Sequence, residues 1–196
     1  MTKSQSLFGK TLSEHSSPQK KGKPIATHLP LQLMKQKDDH YITGHMAYGN
    51  PQWRTFETSE EVLIMFQGPH AYISSSWYEQ ENVPTWNYQA VHLYGTAQLL
   101  SEEELKKDLT SLMQKYESHR ENPVLWDKRS PSLLEKELKG IIGFKILVRE
   151  VQAAYKMSQN RNETDYQNII DRLEQEEDAD SKQMAQVMST KSEESL

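Results

Sequence analysis

Val62-Leu63-Ile64-Met65-Phe66 is a continuous apolar run, bounded by Glu60-Glu61 on one side and by Gly68-Pro69 on the other. A run this short, closed by charge and by a turn signal, fits a strand covered on both faces. Such a strand needs paired neighbours, and the flanking sequence supplies them. Ile25 to Leu33 carries apolar residues at alternating positions, the period of a half-buried strand, with Pro30 confining it to an edge or a bulge. Lys37-Asp38-Asp39 reads as a turn, His40 to His45 as the partner strand, and Gly49-Asn50-Pro51 as the next turn, before Gln52 to Phe56. Ala71 to Ser76 extends the apolar run or pairs beside it. Tyr88 to Leu99, centred on Ala90-Val91-His92-Leu93-Tyr94, is the next long strand. This succession predicts several antiparallel strands.

Helices are expected only after the strands. Ser101 and Glu104 form a Ser-x-x-Glu capping box, and Leu105, Leu109, Leu112, Met113 and Tyr116 follow on one helical face, predicting a helix near 101–118. Ser130-Pro131 opens a second over 131–139, with Pro at the first helical position and Gly140 ending it. Ile141 to Val148 returns to strand, with Ile142, Phe144, Ile146 and Val148 on one face, and is expected to close the sheet. Tyr166, Ile169, Ile170 and Leu173 give a further helical stripe. Ser181 is the expected cap of a short last helix carrying Met184, Val187 and Met188, and Ser189 to Leu196 reads as a mobile polar tail. The domain reading is therefore a polar, poorly patterned segment over 1–23, one domain over 24–175, and an acidic and polar helix and tail over 176–196.

Composition narrows the chemistry. The 196 residues contain no cysteine, which excludes disulfides, thiolate metal sites and thiol catalysis within this chain. No stretch approaches the roughly 18 apolar residues of a membrane span, and Met1 to Lys10 lacks the apolar core of a signal peptide, so a cytoplasmic protein is expected. A net charge of -5 provides no global attraction to nucleic acid. Lys20, Lys21 and Lys23 lie in a Ser-Pro-Lys-rich loop whose simplest reading is a solvated turn, although phosphate contact fits the same residues. The histidines show no metal-binding spacing, no Gly-x-Ser-x-Gly elbow occurs, and no basic recognition helix is readable.

Aromatic side chains are concentrated rather than scattered. Three of the four tryptophans, Trp53, Trp77 and Trp86, fall within one segment, close to Phe66, Tyr72, Tyr78 and Tyr88. This composition suits the wall of a planar ligand. It suits equally a half-buried sheet with aromatic cross-strand pairs.

The segments Ala26-Thr27-His28-Leu29-Pro30-Leu31, Gly44 to Trp53, Phe66 to Ser74, Val83-Pro84-Thr85-Trp86-Asn87-Tyr88, Gly140 to Phe144 and Lys156-Met157-Ser158-Gln159-Asn160-Arg161 occur in an order that resembles the PaiB family of bacterial regulators. The resemblance covers roughly residues 22–190. It implies a mainly β fold with peripheral α-helices, an FMN-binding split β-barrel related to pyridoxamine-phosphate oxidase and flavin reductase domains. It also implies a homodimer with flavin at the subunit interface, and a negative regulator of protease synthesis and sporulation genes. Members of that family place a helix and a strand ahead of the Ala-Thr-His-Leu-Pro segment. Here Leu7-Phe8-Gly9 is the candidate for that strand, without which the barrel has a gap.

FMN requires cover for its ring, partners for the ring's polar edge, and donors for its phosphate. Trp77, Tyr78 and Trp86 are the candidates to flank the ring, with Trp53 and Tyr88 beside them. Asn50, Gln52, Asn87, His45 and His28 are those for the polar edge. Ser74, Ser75, Lys156, Ser158, Gln159, Asn160 and Arg161 are those for phosphate and ribityl oxygens. A competing reading makes the 156–161 segment a plain strand-to-helix connection capped by Asn160 or Asn162. The expected partners are a second copy of the chain and either DNA or a regulatory protein, with a dimer surface gathering Lys20, Lys21, Lys23, Lys35 and Lys37 from both subunits as the candidate DNA contact. A flavin-dependent oxidoreductase or flavin reductase is the alternative to a regulator.

Overall fold

The computed structural model describes residues 6–14, 24–59 and 61–193. The strands are β1 (Ser6–Glu14), β2 (Pro24–Gln36), β3 (Asp39–Ala47), β4 (Val62–Ile73), β5 (Thr85–Leu99) and β6 (Ile141–Lys156). The helices are α1 (Glu102–Glu117), α2 (Pro131–Lys139), α3 (Glu163–Gln175) and α4 (Ala179–Glu193). The strands close into a barrel in the order β1-β2-β3-β6-β5-β4, and the fold is the mainly β split barrel with helices.

Closure of the barrel depends on β1 and β6. β1 forms, and it pairs antiparallel with β2 from Ser6↔Gln32 to Glu14↔Pro24 and with β4 from Lys10↔Met65 to Ser13↔Val62. Two backbone ladders hold it. β6 lies between β3 and β5, paired to β3 from Tyr41↔Leu147 to Ala47↔Ile141, and so closes the sheet. β2 is likewise an interior strand, and Pro30 is tolerated there because the β2–β3 ladder begins only at Gln32↔Thr43. The β2–β3 hairpin turns on Lys37 and Asp38, with Lys37 in the left-handed region at φ 56°. β4 runs unbroken through Gly68-Pro69 and stops at Ile73; Ser75–Trp77 is a short 3-10 helix instead of more strand.

The chain divides into two compact units, residues 1–66 with 92–151 and residues 67–91 with 152–196. In the first, Leu31, Ile42, Val62, Ile64, Phe144 and Ile146 are fully or almost fully buried, and the Phe56 ring meets Phe144 edge-on at 5.2 Å. The capping box of α1 is realised in both directions, Glu104 N–H to Ser101 Oγ at 3.3 Å and Ser101 N–H to the Glu104 carboxylate at 2.9 Å. Leu105 and Leu109 of α1 form a small cluster with Leu138 of α2.

In the second unit, α3 and α4 share one core, with Ile169, Leu173, Met184 and Met188 at zero exposure. Asp178, instead of Ser181, starts α4, because its carboxylate accepts from the Ser181 N–H at 2.8 Å. Residues 189–193, expected as tail, continue that helix; Ser189 and Thr190 return their hydroxyls to the carbonyls of Ala185 and Gln186. No described helix is long and apolar enough to cross a membrane.

Candidate functional site

The expected site residues fall in both units, and each set has its own local logic. In the second unit, strand alternation sorts the start of β5: Trp86 and Tyr88 are exposed while Asn87 between them is buried. The exposed Trp86 ring lies 5.8 Å from Tyr72 in an edge-to-face arrangement and stacks at 6.1 Å on His70. His70 in turn stands 4.0 Å from the Asp180 carboxylate. Tyr72 and His70 were not among the expected site residues. Their two-residue spacing on β4, which puts both on one face, was the signal that would have added them.

The connector from β6 to α3 gathers the polar candidates. Lys156 Nζ donates to Thr85 Oγ1 at 2.6 Å, and Ser158 Oγ donates to Asn87 Oδ1 at 3.0 Å. Asn87 Nδ2 is spent on the Met188 sulfur at 3.4 Å. Ser158 has φ 56°, a left-handed kink that lets Arg161 N–H reach back to the Ser158 carbonyl at 3.0 Å. Gln159 folds back on the chain, accepting from Met157 N–H at 2.8 Å and donating to the Tyr155 carbonyl. Asn160 is exposed. Arg161 lays its guanidinium 4.5 Å above the Tyr78 ring, and both Arg161 Nε and the Tyr78 hydroxyl are buried with no partner among the described residues. Asn162 caps α3, accepting from Asp165 N–H at 2.7 Å. The connector is thus a capped strand-to-helix link that also keeps one cationic group incompletely bonded. Ser74 caps the short 3-10 helix through Ser76 N–H, Ser75 is half-buried, and Trp77 packs against the α3–α4 core.

In the first unit the candidates are mostly engaged with the barrel itself. Asn50 accepts from Gln52 N–H and donates to Thr27 Oγ1, each at 2.9 Å. Gln52 is fully buried and donates to the Ile25 carbonyl at 3.3 Å. Trp53 donates to the Tyr48 carbonyl at 2.9 Å and carries the Arg54 guanidinium at 4.4 Å from its ring. His28 is exposed on β2, opposite Lys10. Lys35 and Lys37 are exposed at the β2–β3 hairpin, whereas Lys20, Lys21 and Lys23 lie outside the described residues.

His45 belongs to a buried polar group whose central member the sequence reading missed. Asp108, on the barrel side of α1, is 6% exposed and accepts from the Thr43 hydroxyl and from Gln32 Nε2 at 3.3 Å. Burial pushes its carboxyl above the ordinary value, opposed by the Thr43 hydrogen bond and by His45. Burial also holds His45 below its ordinary value, with Asp108 pulling the other way. His45 Nδ1 and Asp108 Oδ2 have no partner among the described residues. A carboxylate inside the stripe Leu105, Leu109, Leu112 was the available signal: Asp108 falls on the apolar face of an amphipathic helix.

Comparison with known proteins bears on both units. A family model described as "Putative FMN-binding domain" matches residues 7–150. A Bacillus subtilis protein named protease synthase and sporulation protein PAI 2 is 69% identical over 170 residues, covering 87% of this chain and 82% of that one. Among solved structures, a flavocytochrome from Azotobacter vinelandii aligns with a TM-score of 0.55 at 17% identity, over 83% of this chain and 68% of its own. An FAD and heme binding protein from Mycobacterium smegmatis aligns at 0.53 and 15%, over 76% and 66%. At such identities the two structures establish the fold alone.

Proposed function

The chain belongs to this FMN-binding-type domain family, and we propose that it is a flavin-binding regulatory protein of protease synthesis and sporulation. The observation that carries this reading is the 69% identity with the Bacillus subtilis protein whose name states those processes. The residues fit a flavin. An aromatic face that no core covers, Tyr72, Trp86 and Tyr88, suits an isoalloxazine ring. The β6–α3 connector offers Lys156, Asn160 and an Arg161 whose buried Nε still lacks an acceptor, which suits a phosphate. Bound FMN would supply a two-electron redox centre with a visible absorbance band.

We assign the ring and phosphate contacts to this second-unit set. Asn50, Gln52 and Trp53, already bonded within the first unit, serve to hold the barrel. Titration of the purified protein with FMN is expected to quench flavin fluorescence at micromolar concentration, and Arg161→Ala or Trp86→Ala to weaken binding by about tenfold or more. Absence of quenching in the wild type sinks the flavin reading. Steady anaerobic bleaching by NADPH at catalytic rates would replace the regulator with an oxidoreductase. The same exposed aromatics fit a second copy of the chain, so the FMN-loaded protein is expected to scatter light as a dimer; a monomer would refute that assignment.

A further inference from the structure

The first unit contains a cavity of about 380 Å³ between α1 and the β2–β3 hairpin, and none of its lining residues is assigned to flavin above. Met34, Tyr41 and Leu100 give it apolar sides, Met34 being 44% exposed at its mouth. Asp108 and Thr43 line its polar part.

The charges around the cavity are unequally satisfied. Glu104 is paired with Lys145 at 2.8 Å, and Lys107 with Glu103 at 2.7 Å. Asp108 has only neutral donors, the Thr43 hydroxyl and the Gln32 amide, and its Oδ2 has none among the described residues. His45 does not neutralise it, because burial favours the uncharged imidazole. Lys35, also lining the cavity, is exposed and makes no ion pair among the described residues. The lining of the cavity therefore includes a carboxyl with no cationic partner and an ammonium with no anionic one among the described residues, together with apolar wall.

We propose that this cavity binds a small apolar α-amino acid, its ammonium on Asp108, its carboxylate on Lys35, and its side chain against Met34, Tyr41 and Leu100. A buried carboxylate left without a cation is costly, and a ligand ammonium with three donors removes that cost while leaving the Thr43 bond in place. The volume is at the lower end of ligand pockets, matched to a molecule of leucine or phenylalanine size. In a regulator such a site reads amino-acid supply through the docking of α1.

Isothermal titration and thermal-shift measurements on the full chain test this with L-leucine and L-phenylalanine as probes. At least one is expected to bind saturably at up to millimolar concentration. N-acetyl-L-phenylalanine, which lacks the ammonium, should bind at least about tenfold more weakly. Lys35→Ala should weaken the free amino acid to a similar degree. Asp108→Asn should abolish binding, and because that change sits in a buried network, Met34→Trp provides a second variant that fills the cavity and gives up only the long Thr43 Oγ1 contact to the Met34 sulfur at 3.6 Å, with Asp108 and its Thr43 and Gln32 donors retained. No saturable binding of either probe, equal binding of the N-acetyl compound, or undiminished binding to Met34→Trp overturns the proposal. FMN affinity measured on the same variants is expected to be unchanged. Absence of FMN binding in the wild type, with amino-acid binding intact, refutes the flavin reading and leaves this one standing.

Discussion

Three titratable side chains of the first unit pull its acid stability in different directions. His45 is held below its ordinary value of 6.5, so the unfolded chain takes up the proton first, and stability is lost as pH falls below that value. Asp108 is held above its ordinary 3.8, so the folded form takes up its proton first, and stability is gained as pH falls through the raised value. Glu104, pushed down to about 2 chiefly by Lys145, stabilises the fold above its ordinary 4.5, and that contribution is lost as pH falls from 4.5 to about 2. Its pair is partly exposed, so solvent screening keeps this last effect small. Melting curves from about pH 7.5 to about pH 5.5 should show the wild type losing about 2–4 °C, and His45→Gln should flatten that decline. An equal decline in the variant would mean that His45 is not the group responsible.

At the scale of elements, the barrel depends on close backbone approach at β5 and β6. A methyl group at Gly95 would stand 2.2 Å from the Leu147 carbonyl oxygen, and backbone cannot yield there without separating the strands. At Gly143 the nearest atom, 2.8 Å away, is a terminal methyl of Leu105, which can rotate. Gly95→Ala is accordingly expected to cost about 3 kcal/mol and Gly143→Ala about 1 kcal/mol in urea unfolding. Similar values for both would show that side-chain crowding, instead of strand approach, sets the cost. Much at this scale was legible in the sequence: the Ser101–Glu104 box and Pro131 at the start of α2 are local chemistry, each where the pattern placed it, and the α3 cap, open between Asn160 and Asn162 in the sequence, is Asn162. The cap of α4 lies three residues ahead of the expected Ser181, because Asp178, hidden within an acidic run, is an equally good N-cap and accepts from the Ser181 N–H.

For the whole molecule, closure of the barrel rests on β1. Removing residues 1–14 would leave β2 and β4 as open edges and uncover the backbone beside Val62 and Ile64, which are fully buried. Circular dichroism of such a truncated chain is expected to show no cooperative thermal transition. A sharp transition near that of the intact protein would mean that the remaining strands suffice.

Alternation, turn residues and capping signals determined most of the strand and helix positions, because those are local preferences repeated along the chain. The order of motifs along the chain carries the family resemblance by itself. Tertiary structure alone decided three things. It made Ser6–Glu14 a strand through two neighbours' ladders, despite a side-chain pattern too weak to predict one. It inserted β6 between β3 and β5, a long-range pairing that no local signal encodes. And it buried Asp108 of α1, leaving one oxygen of a helical carboxyl without a partner among the described residues, because burial depends on what the rest of the chain places opposite.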